Sequence, residues 1–113
     1  MARVELKETI EGSARILRVD GEIDLSTTAR FRAAIDRLAT AGGARLIVDL
    51  RGCAYLDSTG LAALLHGSAR TGGFAIVAGE GAPREIPQAT AIDQTIPVFD
   101  TVERALESAL QTS

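Results

Sequence analysis

The chain has 113 residues, 46% of them hydrophobic and only 4% aromatic with no tryptophan, which suits one core of Leu, Ile, Val and Ala and excludes a module lined with rings. Fifteen acids against 12 bases give a net charge of -3, and the bases are scattered from Arg3 to Arg104, so the sequence has no basic footprint for nucleic acid. A lone cysteine, Cys53, and a lone histidine, His66, exclude an internal disulfide and a Cys/His zinc cluster, and no apolar run reaches a signal peptide or the ~18 residues of a membrane span.

These limits predict one cytoplasmic domain over residues 1–113, with no cofactor, no metal and no membrane insertion. Residues 3–9 alternate in polarity, as do residues 14–20, and Glu11-Gly12-Ser13 lies between them, which predicts a β-hairpin. Gly21 to Leu25 continues the second strand. Ser26-Thr27-Thr28 then offers caps for a helix to about Ala41, with Leu25, Ala29, Phe31, Ala34, Ile35, Leu38 and Ala41 at helical spacing. Gly42-Gly43 stops it, and Leu46 to Leu50 reads as a central strand buried on both faces.

A second helix is predicted from about Ser58 to Arg70, before Thr71-Gly72-Gly73, and Phe74 to Ala78 is another buried strand. Strands alternating with helices imply right-handed crossovers and a mostly parallel sheet. Beyond Gly81, Pro83 and Pro87 restrict any helix to a short one or to a start after Pro87, because an interior proline costs about 3 kcal/mol. Ile96 to Phe99 is predicted as an edge strand because of Pro97. Asp100 or Thr101 then caps a last helix carrying Val102, Ala105, Leu106, Ala109 and Leu110.

Chemistry concentrates at Asp57-Ser58-Thr59-Gly60, the predicted start of the second helix. A hydroxyl there can cap the helix, attack a substrate or accept a phosphate. Attack needs a base within reach, yet His66 lies eight residues along the same predicted helix, roughly 12 Å away, and there is no Gly-x-Ser-x-Gly elbow. The expectation for His66 is a partly exposed helix residue. A phosphate-cradling loop needs Gly-x-x-x-x-Gly-Lys-Ser/Thr, which is missing, and Asp57 would repel a triphosphate.

Of the carboxylates considered for a metal site or acid/base pair, Asp24 and Asp57 follow the C-terminal ends of predicted parallel strands, where open α/β sheets place their sites. Asp24 also reads as a turn or cap acid, and Asp49 as a maker of structural hydrogen bonds inside its strand. The remaining chemistry is Ser58 as phosphate acceptor. A phosphate adds ~1.5 to 2 negative charges, which the helix dipole and free backbone N–H groups tolerate within the protein, while a docked partner meets like-charge repulsion from it together with Asp57 and Asp24. Ser58 as a simple N-cap, worth about 1 kcal/mol, is compatible with this and stays open.

Four stretches, Gly21-Glu22-Ile23-Asp24, Leu46 to Leu50, Leu56-Asp57-Ser58-Thr59-Gly60-Leu61 and Val98 to Leu106, appear in an order that resembles a STAS domain, the fold of bacterial anti-sigma factor antagonists and of the cytoplasmic tails of sulfate transporters. The resemblance implies an α/β, STAS-like fold, with a four- or five-stranded mixed, mostly parallel sheet and about four helices. It implies a phosphorylation-switched binding module rather than an enzyme. Unphosphorylated at Ser58, the module binds an anti-sigma factor that is also a serine kinase and so releases sigma factor, and a phosphatase resets it. Thr59 matches a position with Ser or Thr and is a secondary acceptor candidate.

The implied docking surface joins Asp24, Leu25, Ser26, Thr27 and Thr28 to Asp57, Ser58, Thr59 and Gly60. Residues 82–96 depart from the family pattern through Pro83 and Pro87. Two other functions remain at this point: a STAS subunit of a lipid or anion transport complex contacting its ATPase, and a nucleotide-binding or hydrolase domain.

Overall fold

The computed structural model describes residues 3–40, 45–71, 73–78 and 96–111. The alternating N-terminal segments form β1 (Val4–Glu11) and β2 (Ala14–Ile23), paired antiparallel from Val4↔Gly21 to Glu11↔Ala14. Their two-residue loop begins with Gly12 at φ 60°, the left-handed conformation that such hairpins require. Along β1, the edge strand, Glu5, Lys7, Glu8 and Glu11 are exposed. Charges on an edge discourage pairing with another chain.

Three further strands, β3 (Arg45–Leu56), β4 (Phe74–Val77) and β5 (Val98–Phe99), add in parallel, giving a mixed sheet in the order β1-β2-β3-β4-β5. β5 lies at the far edge as Pro97 predicts, and the Pro97 carbonyl accepts from Ile76 N at 2.9 Å. β3 extends well beyond the expected Leu46–Leu50. Between Arg18↔Asp49 and Asp20↔Gly52, and again between Gly21↔Cys53 and Glu22↔Tyr55, it takes one more residue than β2. These two bulges carry β3 through a polar stretch that breaks the apolar pattern, and both strands finish together at Ile23↔Leu56.

The described helices are α1 (Thr28–Thr40), α2 (Ser58–Arg70) and α3 (Val102–Gln111). About four helices were expected and three lie among the described residues; the segment governed by Pro83 and Pro87 lies outside them, as do Ala41, Gly42 and Gly43. Thr101 rather than Asp100 caps α3, its Oγ1 accepting from Arg104 N at 3.1 Å.

β3 faces both ways, which explains its dense apolar run. Leu46, Val48 and Leu50 join the core beneath α1 and α2, where Phe31, Ile35, Leu38 and Leu64 are buried, whereas Ile47 joins the cluster beneath Ala105 of α3. Asp49 points to neither core as an orphan: its carboxylate accepts from Arg51 N, Nε and Nη2 at 3.1, 3.0 and 2.9 Å. Two apolar expectations fail. α1 starts at Thr28, so Leu25 falls in the preceding turn, 79% exposed, and Ala29 is exposed as well.

Candidate functional site

Because β2 and β3 are parallel and end in register, the residues that follow them emerge side by side. Asp57 N donates to the Ile23 carbonyl at 3.1 Å, which places Asp24 and Asp57 as the first residues beyond neighbouring strands. This is the crevice position expected for both carboxylates.

From Asp24 the chain turns tightly into α1. The Asp24 carbonyl accepts from Thr27 N at 3.1 Å and Thr28 N at 2.8 Å, and its Oδ1 accepts from Ser26 N at 2.8 Å and Ser26 Oγ at 2.6 Å. Thr27 is buried; its hydroxyl donates to the Glu22 carbonyl at 2.8 Å and accepts from Asp24 N at 3.0 Å. The hydroxyl of Ser26, followed by its backbone N–H, holds the Asp24 carboxyl below its ordinary value against the opposing effect of desolvation, with smaller help from Thr27. The two hydroxyls of Ser26 and Thr27 are both engaged within this turn, and Leu25 is left 79% exposed.

At the other strand end Asp57, in extended conformation, is the N-cap of α2. Its Oδ1 accepts from Thr59 N at 3.0 Å, Gly60 N at 3.2 Å and Thr59 Oγ1 at 2.5 Å, and its carbonyl accepts from Leu61 N at 3.1 Å. This corrects two expectations. Ser58 is the first helical residue and not the N-cap, and of the backbone N–H groups expected to be free at this helix start, those of Thr59 and Gly60 are bonded to the Asp57 carboxylate. Ser58 is exposed, and among the described residues its hydroxyl makes no hydrogen bond.

Gly60 is buried: a Cβ there would lie 2.5 Å from Leu56 Cδ1 and 2.8 Å from Ile23 Cγ2. Gly60 and Thr27, expected on the docking surface, therefore shape it from beneath and offer it no side chain. The exposed members are Leu25, Ser26 and Ser58, with Asp24, Thr28, Asp57 and Thr59 half-buried. Among the described residues neither Asp24 nor Asp57 forms an ion pair. Exposed hydroxyl, apolar knob and two uncompensated carboxylates thus share one end of the sheet.

Among the described residues no general base is hydrogen-bonded to Ser58 Oγ. His66, half-buried on α2, is turned to α1, with Nε2 2.8 Å from Asp36 Oδ1 and Nδ1 3.4 Å from Arg32 Nη2. Arg70 Nε lies 3.6 Å from the same Asp36 oxygen. This clasp between the helices carries no local sequence signal, since its partners are some 30 residues apart. Among the described residues there is no group of three or more His, Cys, Asp or Glu suited to a metal, and no helix is long and apolar enough to cross a membrane.

Residues 5–105 match the sequence model of the STAS domain. The chain belongs to the STAS domain family. It is similar to RsfB of Mycobacterium tuberculosis, an anti-sigma-F factor antagonist, with 32% identity over 94 residues that cover 80% of this chain and 77% of RsfB. Its fold is similar to that of an anti-sigma factor antagonist from Mycobacterium paratuberculosis, with TM-score 0.89 and 28% identity over 94% of this chain and 93% of the other. A more distant likeness, in fold alone, is to the anti-sigma factor antagonist SpoIIAA of Bacillus in its unphosphorylated form, with TM-score 0.75 and 18% identity over 95% and 97% of the two chains. The STAS domain match spans both strand ends and the start of α2.

Proposed function

We propose that this STAS domain is an anti-sigma factor antagonist whose hold on its partner is set by phosphate at Ser58. The observation that carries the reading is the state of that side chain. Ser58 Oγ is exposed and unbonded among the described residues, at the start of a capped helix, beside Asp24 and Asp57, which have no ion-pair partner.

In the unphosphorylated state the partner, a kinase-type anti-sigma factor in the cytoplasm, docks over Leu25, Ser26, Ser58 and the surrounding backbone, and sigma factor is released. Phosphorylation by the same partner adds ~1.5 to 2 negative charges where two carboxylates already stand. The bound state then carries like-charge repulsion and the desolvation of a dianion, and the partner leaves. A phosphatase restores the hydroxyl. The domain contributes no catalytic group and acts as the substrate of both enzymes.

Incubation with the kinase-type anti-sigma factors encoded in the same genome and Mg-ATP, followed by intact mass and site mapping, tests this. One phosphate on wild type and none on Ser58→Ala is the expected result. A phosphate that persists in Ser58→Ala would refute the site, and tight binding to a transport ATPase with no phosphorylation would move the domain to a transport complex.

A further inference from the structure

Five hydroxyls lie at the two strand ends, on Ser26, Thr27, Thr28, Ser58 and Thr59, and a kinase that docks there meets several of them. The inference rests on the reading of Ser58 above and concerns what makes it the acceptor. Three of the five protons are already committed: Ser26 Oγ donates to Asp24 Oδ1 at 2.6 Å, Thr59 Oγ1 to Asp57 Oδ1 at 2.5 Å, and Thr27 Oγ1 to the Glu22 carbonyl at 2.8 Å. Thr28 is half-buried. Of these five, only Ser58 combines exposure with an uncommitted hydroxyl.

We propose that Asp24 and Asp57 are specificity-determining residues that guard the neighbouring hydroxyls of Ser26 and Thr59, so that phosphoryl transfer goes to Ser58 alone. In that transfer the oxygen of the acceptor attacks the γ-phosphorus of a nucleoside triphosphate held by the kinase. A new O–P bond forms as the bond to the β,γ-bridging oxygen breaks, the diphosphate leaves, and the hydroxyl proton passes to a base on the kinase.

A guarded hydroxyl is a poor acceptor on two counts. Its proton is held by the domain's own carboxylate and is not free for the kinase's base, and that carboxylate oxygen stands 2.5 or 2.6 Å from the oxygen that would attack, where it repels an incoming anionic triphosphate. The hydrogen bonds from Ser26 also lower the Asp24 pKa, which makes that carboxylate a weaker proton acceptor for the Ser26 hydroxyl. The two guards are equivalent in geometry: each is the first residue beyond a parallel strand, and each takes a backbone N–H and the hydroxyl of the residue two positions on.

Two measurements test the proposal. The first needs no kinase: hydroxyl proton exchange of the isolated domain, followed by NMR at low temperature. A hydrogen bond to a charged acceptor should slow the exchange of the Thr59 and Ser26 hydroxyls by about 10- to 100-fold relative to Ser58; equal rates for Thr59 and Ser58 would overturn the guard.

The second uses the anti-sigma factor that phosphorylates wild type, with Mg-ATP and site mapping. Ser58→Ala should take no phosphate, whereas Ser58→Ala with Asp57→Ala should gain phosphate at Thr59, and Ser58→Ala with Asp24→Ala should gain it at Ser26. Phosphate at Thr59 with Asp57 intact, or none in either double variant that still folds and binds the kinase, refutes the proposal. If no kinase modifies wild type, the reading of Ser58 as acceptor fails, and the exchange rates still decide the guard by themselves.

Discussion

Gly60→Ala probes the contact on which the placement of α2 depends. A Cβ at residue 60 would lie 2.5 Å from Leu56 Cδ1 and 2.8 Å from Ile23 Cγ2, against the ~3.5–4.0 Å of a relaxed carbon pair. Both neighbours are buried, Ile23 fully and Leu56 at 4%, so relief requires about 1 Å of movement by the helix start or by the two strand ends. Overpacking of this kind costs typically 1–3 kcal/mol, and replacing a helical glycine by alanine returns up to about 1 kcal/mol. The net expectation is a loss of about 1–2 kcal/mol, read as a lower urea midpoint with unchanged slope.

Gly67→Ala is the matched control, because its Cβ would lie 2.5 Å from Ile35 Cγ2 and 2.8 Å from Phe74 Cε2, two turns farther along α2. Both substitutions should destabilise, but only Gly60→Ala should also weaken the partner at a temperature where each variant is fully folded, since only it shifts the residues around Ser58. An unchanged or higher urea midpoint for Gly60→Ala would refute the packing account. Equal effects of both variants on affinity would refute its link to the site.

The remaining predictions concern the two strand ends. Asp57→Ala removes the acceptor of two backbone N–H groups and should cost about 1–2 kcal/mol in chemical denaturation, while Asp57→Asn, which keeps a cap oxygen, should cost well under half of that. Ser58→Ala should leave stability within about 0.5 kcal/mol of wild type, the exposed side chain having no partner to lose, whereas Ser58→Glu should lower partner affinity at least about tenfold in calorimetry. Asp24 has its carboxyl held below the usual range when folded, so its stabilising contribution is present above the ordinary aspartate value and is lost as pH falls through the folded value. Asp24→Asn, which retains an acceptor for Ser26, should therefore show a shallower decline of the urea midpoint across that acid range; a parallel decline would show that Asp24 does not titrate as its hydrogen bonds dictate.

Most of the fold was legible because its elements announce themselves locally. Alternation marks β1 and β2, Gly12 marks their turn, and the apolar runs at Leu46–Leu50 and Phe74–Val77 mark strands covered on both sides. The misses are those where pairing decides. Arg51 to Leu56 is strand because two bulges keep it against β2, and nothing in Arg51-Gly52 signals that.

Within the candidate site the neighbourhood of Asp24 and Asp57 was legible, since parallel strands that end together bring them side by side. The assignment of roles within it was not. Asp57 and Ser58 are both good caps, and only the observed φ and ψ of Asp57 with its bonds to Thr59 and Gly60 decide that the acid caps and the serine is left over. Leu25 misled for a related reason. Its spacing fits the apolar face of α1, but the bonded turn at Asp24 delays the helix to Thr28 and turns Leu25 out.

That displacement matters for how a phosphate acts. Both helix starts are fixed from several directions: Asp57 N is tied to Ile23, the cap closes the first turn of α2, the Asp24 turn closes that of α1, and Asp36 links α1 to His66 and Arg70. On the reading proposed above, a phosphate on Ser58 acts through its charge on the docked partner and needs no change of shape in the domain. A hundredfold fall in affinity needs only about 2.7 kcal/mol, within reach of a buried like-charge contact. The cap sharpens the effect. Thr59 N and Gly60 N already donate to Asp57, so on that reading neither is free to bond a phosphate on Ser58.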